Sequence, residues 1–277
     1  MTHEIFLMKI IVKANGGLGN RMRVIASCIA LSQRIRNEVE VIWVNNNELN
    51  CSYKSFFMDV KTINITEYKY IPKWNKIAHR HRRKRLRNDF KNFEIQLDDS
   101  SIRELGKLKS DLVKLIRDAE TIYVNTCEHF YGDLSFVSFL LPKQHILDIC
   151  SNRIEKMGPV FIGAYIRRGD NLVSIAQSPT ELFIENLEIE LKGISDSAIY
   201  LATDDLDEAE LIKRKFGDYL YFYPTQLKRD KPEGIQQALV DLMMLSKSNK
   251  IIGSYWSSFT EVAAAYGSVP LVTVKRE

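Results

Sequence analysis

Pro159-Val160-Phe161-Ile162-Gly163-Ala164-Tyr165-Ile166-Arg167-Arg168-Gly169-Asp170 is an apolar run that stops on two arginines, a glycine and an aspartate. It is short enough for a strand and has no polar face, the pattern of a strand covered on both sides. Ligands of open α/β sheets sit beyond the carboxyl ends of the strands. Two cations placed there point to an anion, and arginine suits phosphate because its planar fork donates paired hydrogen bonds and stays charged at any working pH. A surface pair that only caps the strand is the other reading of the same dipeptide.

Working outward, the chain after this strand alternates regularly. Strands are predicted at 160–166, 198–203, 219–223, 250–253 and 270–274, with helices at 180–192, 207–216, 233–247 and 258–266. That rhythm implies a parallel sheet covered by helices on both faces. A helix over 143–156 leads into it, and the domain boundary is placed there, giving 1–150 and 151–277. At the other end, a strand over Lys9–Ala14, the turn Asn15-Gly16-Gly17-Leu18-Gly19-Asn20 and a helix over 21–36 precede a strand over Val39–Val44. Strand, glycine turn and helix open a nucleotide-binding unit, in which the glycines admit the ligand to the backbone and the helix start offers unpaired N–H groups. The third glycine of the dinucleotide fingerprint and the Lys-Ser/Thr of a P-loop are missing, so a plain tight turn stays open. From 50 to 141 the pattern is less regular, with one strand at 121–124 and helical spacing over 101–117. The expected fold class is α/β, with two Rossmann-like doubly wound parallel-sheet domains facing a cleft.

The 277 residues, 45% hydrophobic and 27% charged, can build a large core. A net charge of +4 favours anionic ligands without naming one. Cys28, Cys51, Cys127 and Cys150 fall singly, which offers no zinc or redox spacing and predicts reduced, mostly buried thiols. No leader pattern and no run of about 18 apolar residues is present, so a cytoplasmic location is expected. Residues 73–87 form the densest positive run. It reads as a solvated face, or as a docking surface for an anionic acceptor, anionic lipid or nucleic acid. Only Trp74 and Phe90 are near enough to stack bases, which argues against nucleic acid.

Further polar positions end the later strands. Asp204 and Asp205 follow the strand at 198–203, and Asp205 with Glu208 also fits a capping box. Asp241 is a lone carboxylate in an apolar helix and needs a partner, either an arginine or a ligand donor. Ser257 and Ser258 open the last helix, where hydroxyls and amides hold a diphosphate or merely cap.

Tyr-Ile-Arg-Arg-Gly-Asp (165–170), Tyr-Leu-Ala-Thr-Asp-Asp (200–205), Val-Asp-Leu-Met-Met-Leu-Ser (240–246) and Ile-Gly-Ser-Tyr-Trp-Ser-Ser-Phe (252–259) together resemble the α1,2-, α1,6- and protein O-fucosyltransferase superfamily in order and spacing. Gly-Gly-Leu-Gly-Asn (16–20) is similar to that superfamily's glycine turn. The resemblance implies a GT-B fold, a donor site mainly in the C-terminal domain and acceptor binding mainly in the N-terminal one. It implies inverting, metal-independent transfer of fucose from GDP-fucose to a glycan or glycolipid, with no cofactor. By position it gives Arg167 the β-phosphate, Asp241 the guanine, Ser257 and Ser258 the diphosphate, and Gly17, Gly19 and Asn20 an N-terminal donor contact. Tyr165, Arg168, Asp204 and Asp205 join the donor site, and Tyr165 stands where the family has histidine. Ser174 and Asn171 stand where the α1,6 branch has a glutamate and a lysine, which leaves Asp170 as the nearest candidate base. Residues 79–87 are the candidate contact with an anionic membrane. The alternatives are a transferase of another nucleotide sugar, a non-catalytic nucleotide or glycan binder, and a nucleic-acid binder working through 73–91.

Overall fold

Strands that are apolar on both sides lie at the centres of two all-parallel, five-stranded sheets in the computed structural model. The structure describes residues 8–72, 74–108, 111–169, 171–193, 197–224 and 231–276. One unit runs through Leu141 and the other begins at Pro142, with a short piece ending at Pro232 grouped with the first.

The first unit contains β1 (Lys9–Ala14), α1 (Leu18–Ile35), β2 (Val39–Val44), α2 (Tyr53–Phe56), β3 (Ile63–Tyr68), α3 (Lys76–Phe90), β4 (Ile95–Asp98), α4 (Asp99–Lys107), α5 (Leu112–Ile116) and β5 (Thr121–Thr126). Its strand order is β3-β2-β1-β5-β4, with Lys13 level with Ile42 on one side and Asn125 on the other. The basic run is the helix α3. Asn75 caps it by accepting the Ala78 N–H at 3.0 Å. Leu86 and Phe90, one turn apart, bury against Ile11, Ile42 and Val44 of the sheet. Most of its charges stay in solvent.

The second unit contains α6 (Gln144–Met157), β6 (Phe161–Ile166), α7 (Leu172–Gln177), α8 (Thr180–Gly193), β7 (Ala198–Thr203), α9 (Leu206–Phe216), β8 (Leu220–Phe222), α10 (Pro232–Leu245), β9 (Lys250–Ser254), α11 (Ser258–Gly267) and β10 (Leu271–Val274). The order β10-β9-β6-β7-β8 is that of a dinucleotide-binding half. Phe183 and Leu187 of α8 and Ile212 and Phe216 of α9 pack on one face, against Ile162, Ala164, Ile166 and Leu201. All four cysteines are free thiols, three of them buried. Among the described residues, no helix is long and apolar enough to cross a membrane.

Candidate functional site

In the second unit β7 and β8 lie to one side of β6, and β9 and β10 to the other, so the winding reverses between β6 and β9. Loops leaving these two strands diverge at that point and open a crevice at the carboxyl edge. Arg167 and Arg168 leave β6 there, and Tyr255, Trp256 and Ser257 leave β9. The two loops are tied together: the Arg167 N–H donates to Ser254 Oγ at 2.9 Å, and Ser254 Oγ donates to the Tyr165 carbonyl at 3.3 Å. The Tyr165 ring stacks on Phe259, with centroids 4.7 Å apart.

The two arginines part ways. Arg168 turns inward, donating to the carbonyls of Arg167 and Ser178, to Thr180 Oγ1, and to Glu208 Oε1 at 3.0 Å. Both partners of the Arg168–Glu208 pair are buried, at 11% and 9% side-chain exposure. Its fork is taken up by protein acceptors. Glu208 is not the second half of a capping box. Asp205 does cap α9, accepting the Glu208 N–H at 2.9 Å, but the Glu208 carboxylate goes to Arg168 and Thr180. Asp204 accepts the Arg168 N–H at 2.6 Å, and a Cβ on Gly169 would lie 2.8 Å from its other oxygen. Asp204 therefore shapes the loop that presents Arg167, while Asp205 caps α9. Asp170 lies outside the described residues.

Beside this loop the start of α11 lines a pocket of 340 Å³ with Ser254, Tyr255, Trp256, Ser257, Thr260 and Glu261. Ser257 caps the helix, and Ser258 is its first, half-buried residue. Trp256 has a left-handed backbone, φ 55°, and is 65% exposed. A bulky residue held in that conformation is strained, and such strain gathers at ligand clamps. Among the described residues no cluster of three His, Cys, Asp or Glu side chains forms a metal-binding group.

Asp241 is not part of that edge. It lies under β7 in a buried network that includes the arginine expected as one possible partner. Tyr200 donates to Asp241 Oδ1 at 2.6 Å, Gln237 donates to the same oxygen at 2.5 Å, and Arg153 is 3.5 Å away. Arg153 also donates to the Tyr200 hydroxyl and to Gln237 Oε1, and its guanidinium lies 4.0 Å from the Tyr223 ring centroid. Burial pushes Asp241 up to about 7, while Tyr200, Arg153 and Gln237 hold it back. Asp241 Oδ2 has no hydrogen-bond partner among the described residues.

In the first unit Gly16 takes φ 80°, and a Cβ there would meet Asn20 Nδ2 at 2.6 Å. Gly17 caps α1, and Gly19 and Asn20 lie in its first turn. The turn is held by Arg21, a residue the sequence reading passed over. Arg21 is fully buried and donates to the Gly16 carbonyl, the Val44 carbonyl and Asn46 Oδ1 at 2.9, 2.8 and 3.1 Å. Burial lowers its pKa to about 10. Arg153 was missed too, although it falls on the apolar stripe of Ile146, Cys150 and Met157. An arginine on such a stripe is the readable sign of a buried carboxylate opposite.

No protein-family model matches the chain, and neither does any curated protein. Solved structures do. The α-1,6-fucosyltransferase NodZ soaked with GDP-fucose aligns over 96% of this chain and 94% of its own, with a TM-score of 0.63 at 18% identity. A NodZ structure from Bradyrhizobium gives 0.62 at 18% over the same shares. A mutant of Arabidopsis thaliana FUT1 in complex with GDP gives 0.63 at 14%, covering 99% of this chain and 72% of that one. POFUT1 in complex with GDP gives 0.57 at 9%, over 96% and 98%. The chain thus has the two-sheet, GT-B-like α/β fold of solved fucosyltransferases.

Proposed function

We propose that this chain belongs to the fucosyltransferase superfamily and transfers fucose from GDP-fucose to a glycan or glycolipid hydroxyl, with inversion and without a divalent metal. The observation that carries this reading is Arg167, anchored through its backbone to Ser254 at the point where the sheet reverses, while the bond from the Arg168 backbone N–H to Asp204 holds the loop in place. Solved structures with the same fold hold GDP or GDP-fucose.

Breaking the bond from sugar C1 to phosphate oxygen leaves negative charge growing on GDP. A fixed guanidinium at the β-phosphate stabilises that charge more in the transition state than in the ground state. Arg167 takes this role. Ser257, Ser258 and the first amides of α11 receive the diphosphate, with Trp256 closing the pocket beside them. The unused oxygen Oδ2 of Asp241 meets the guanine edge. Gly17, Gly19 and Asn20 are the donor contact contributed by the N-terminal domain, which also binds the acceptor, and Asp170 is the candidate base. The reading places the enzyme in the cytoplasm, with residues 79–87 toward an anionic membrane. Vesicle sedimentation that finds no binding at low salt removes that last feature alone.

The test is a thermal-shift series with GDP, UDP, ADP and CMP, each with and without EDTA. A ligand at 100 times its Kd adds about 2.7 kcal/mol of stability. Stabilisation by GDP alone, unchanged by EDTA, is the expected result. Stabilisation by another nucleotide moves the assignment to a different sugar donor, and no stabilisation by any of them overturns it.

A further inference from the structure

The exposed basic helix of the first unit is more than a solvated face, because one side of it closes over a hollow whose apolar wall, with Leu86 and Phe90, is rimmed by cations. α3 contributes Arg83 and Arg87, Lys91 follows it, and Lys13, Asn125 and Tyr123 rise from the sheet beneath, around 380 Å³ of space. That volume is in the range of small-ligand sites. Four cations and no carboxylate line it.

Lys13 is the unusual member. It sits near the carboxyl end of a central strand, beside Asn125, whose carbonyl accepts from Asn15 at 2.9 Å and so leaves the amide N–H groups to the hollow. The Lys13 ammonium has no hydrogen bond or ion pair among the described residues, whereas Arg82 and Arg85 on α3 do. Burial pushes the Lys13 ammonium down, Arg21, Arg82 and Arg83 add to this, and Glu48 opposes it. A half-buried cation among other cations costs stability unless an anion joins it.

We propose that the hollow between α3 and the carboxyl ends of β1 and β5 is a second anion site, which holds the phosphate or diphosphate of a phosphorylated glycan acceptor. Several convergent donors around one space fit a multiply charged oxyanion better than a single carboxylate. The assignment of that ligand to an acceptor rests on the transferase reading above; the anion site does not.

The experiment uses the full chain saturated with GDP and inorganic pyrophosphate as the probe, with binding read by calorimetry and by Tm. Lys13→Met is expected to weaken pyrophosphate at least about tenfold, to leave the GDP shift intact and to hold or raise the Tm of the ligand-free protein. Arg83→Gln/Arg87→Gln, on the exposed side, checks the site without touching the sheet and is expected to weaken the probe as well. Pyrophosphate binding that is unchanged in both variants, or absent in the wild type, overturns the proposal. Two competitors then assign the source. Displacement of the probe by a soluble glycosyl diphosphate identifies a free acceptor, and displacement only by phosphatidylcholine vesicles carrying a polyprenyl diphosphate identifies a lipid-linked one. Equal displacement by phosphatidylserine vesicles means surface charge alone and overturns the site, whereas displacement by none of them overturns the assignment of its ligand to a phosphorylated acceptor. Absence of a GDP shift in the wild type, with pyrophosphate still bound, sinks the transferase reading and spares the pocket.

Discussion

Replacing Arg168 with alanine separates the two neighbouring arginines most cleanly. The side chain makes a 3.0 Å ion pair with Glu208 at 11% and 9% exposure and also donates to Thr180 Oγ1 and to two backbone carbonyls. Removing it leaves the Glu208 carboxylate buried without its cation, a change that costs about 3–5 kcal/mol. At several degrees per kcal/mol for a unit of this size, the Tm should fall by roughly 10–20 °C. Much of that cost is the stranded carboxylate, so Arg168→Met/Glu208→Leu, which removes both charges and keeps the bulk, should recover most of it. The assay is urea unfolding of the single and double variants, with GDP affinity measured at a temperature where each is folded. Stability should fall while GDP affinity holds. A wild-type Tm combined with a loss of GDP affinity of about tenfold, 1.4 kcal/mol, would refute the reasoning, because Arg168 would then face the ligand.

Gly169→Ala places a Cβ 2.8 Å from Asp204 Oδ2 and should break the grip of Asp204 on the arginine loop, weakening GDP binding with little change in Tm; isothermal titration checks this. The folded-state pKa of Asp241, about 7 against an ordinary 3.8, means that the native protein keeps a proton which the unfolded chain releases over that interval. The unfolded state binds fewer protons there, so stability should decline as pH rises from about 4 to 7, and Asp241→Asn should flatten that slope in urea titrations. Gly16→Ala forces a side chain into left-handed backbone and against Asn20, costing on the order of 1–2 kcal/mol, to be read from chemical denaturation. Turnover of GDP-fucose should be unaffected by exhaustive dialysis against EDTA.

The second sheet was legible because β6, β7 and β9 are buried along almost their whole length, and such strands read as unbroken apolar runs. β3 and β4 were missed because they are the two edge strands of the first sheet, where Asn64, Thr66, Gln96 and Asp98 dilute the signal. α3 was hidden for a related reason: two buried residues, Leu86 and Phe90, anchor a helix that is otherwise almost all charge. At the site, the position of Arg167 could be read from the strand that ends on it. The opposite fate of Arg168 could not, since Glu208 lies 40 residues away. Asp241 needed a partner on general grounds, and only the packing of α6 against α10 shows it to be Arg153 together with Tyr200.

The central claim is that the Arg167 guanidinium carries the charge left on the departing nucleotide. Single-turnover release of GDP from GDP-fucose by Arg167→Ala, with EDTA present throughout, tests it most directly. The account predicts a rate lower by about 10²–10³-fold, the loss typical of one strong oxyanion donor, with the Tm retained. An unchanged rate in the folded variant, or wild-type activity that vanishes with EDTA, would contradict it.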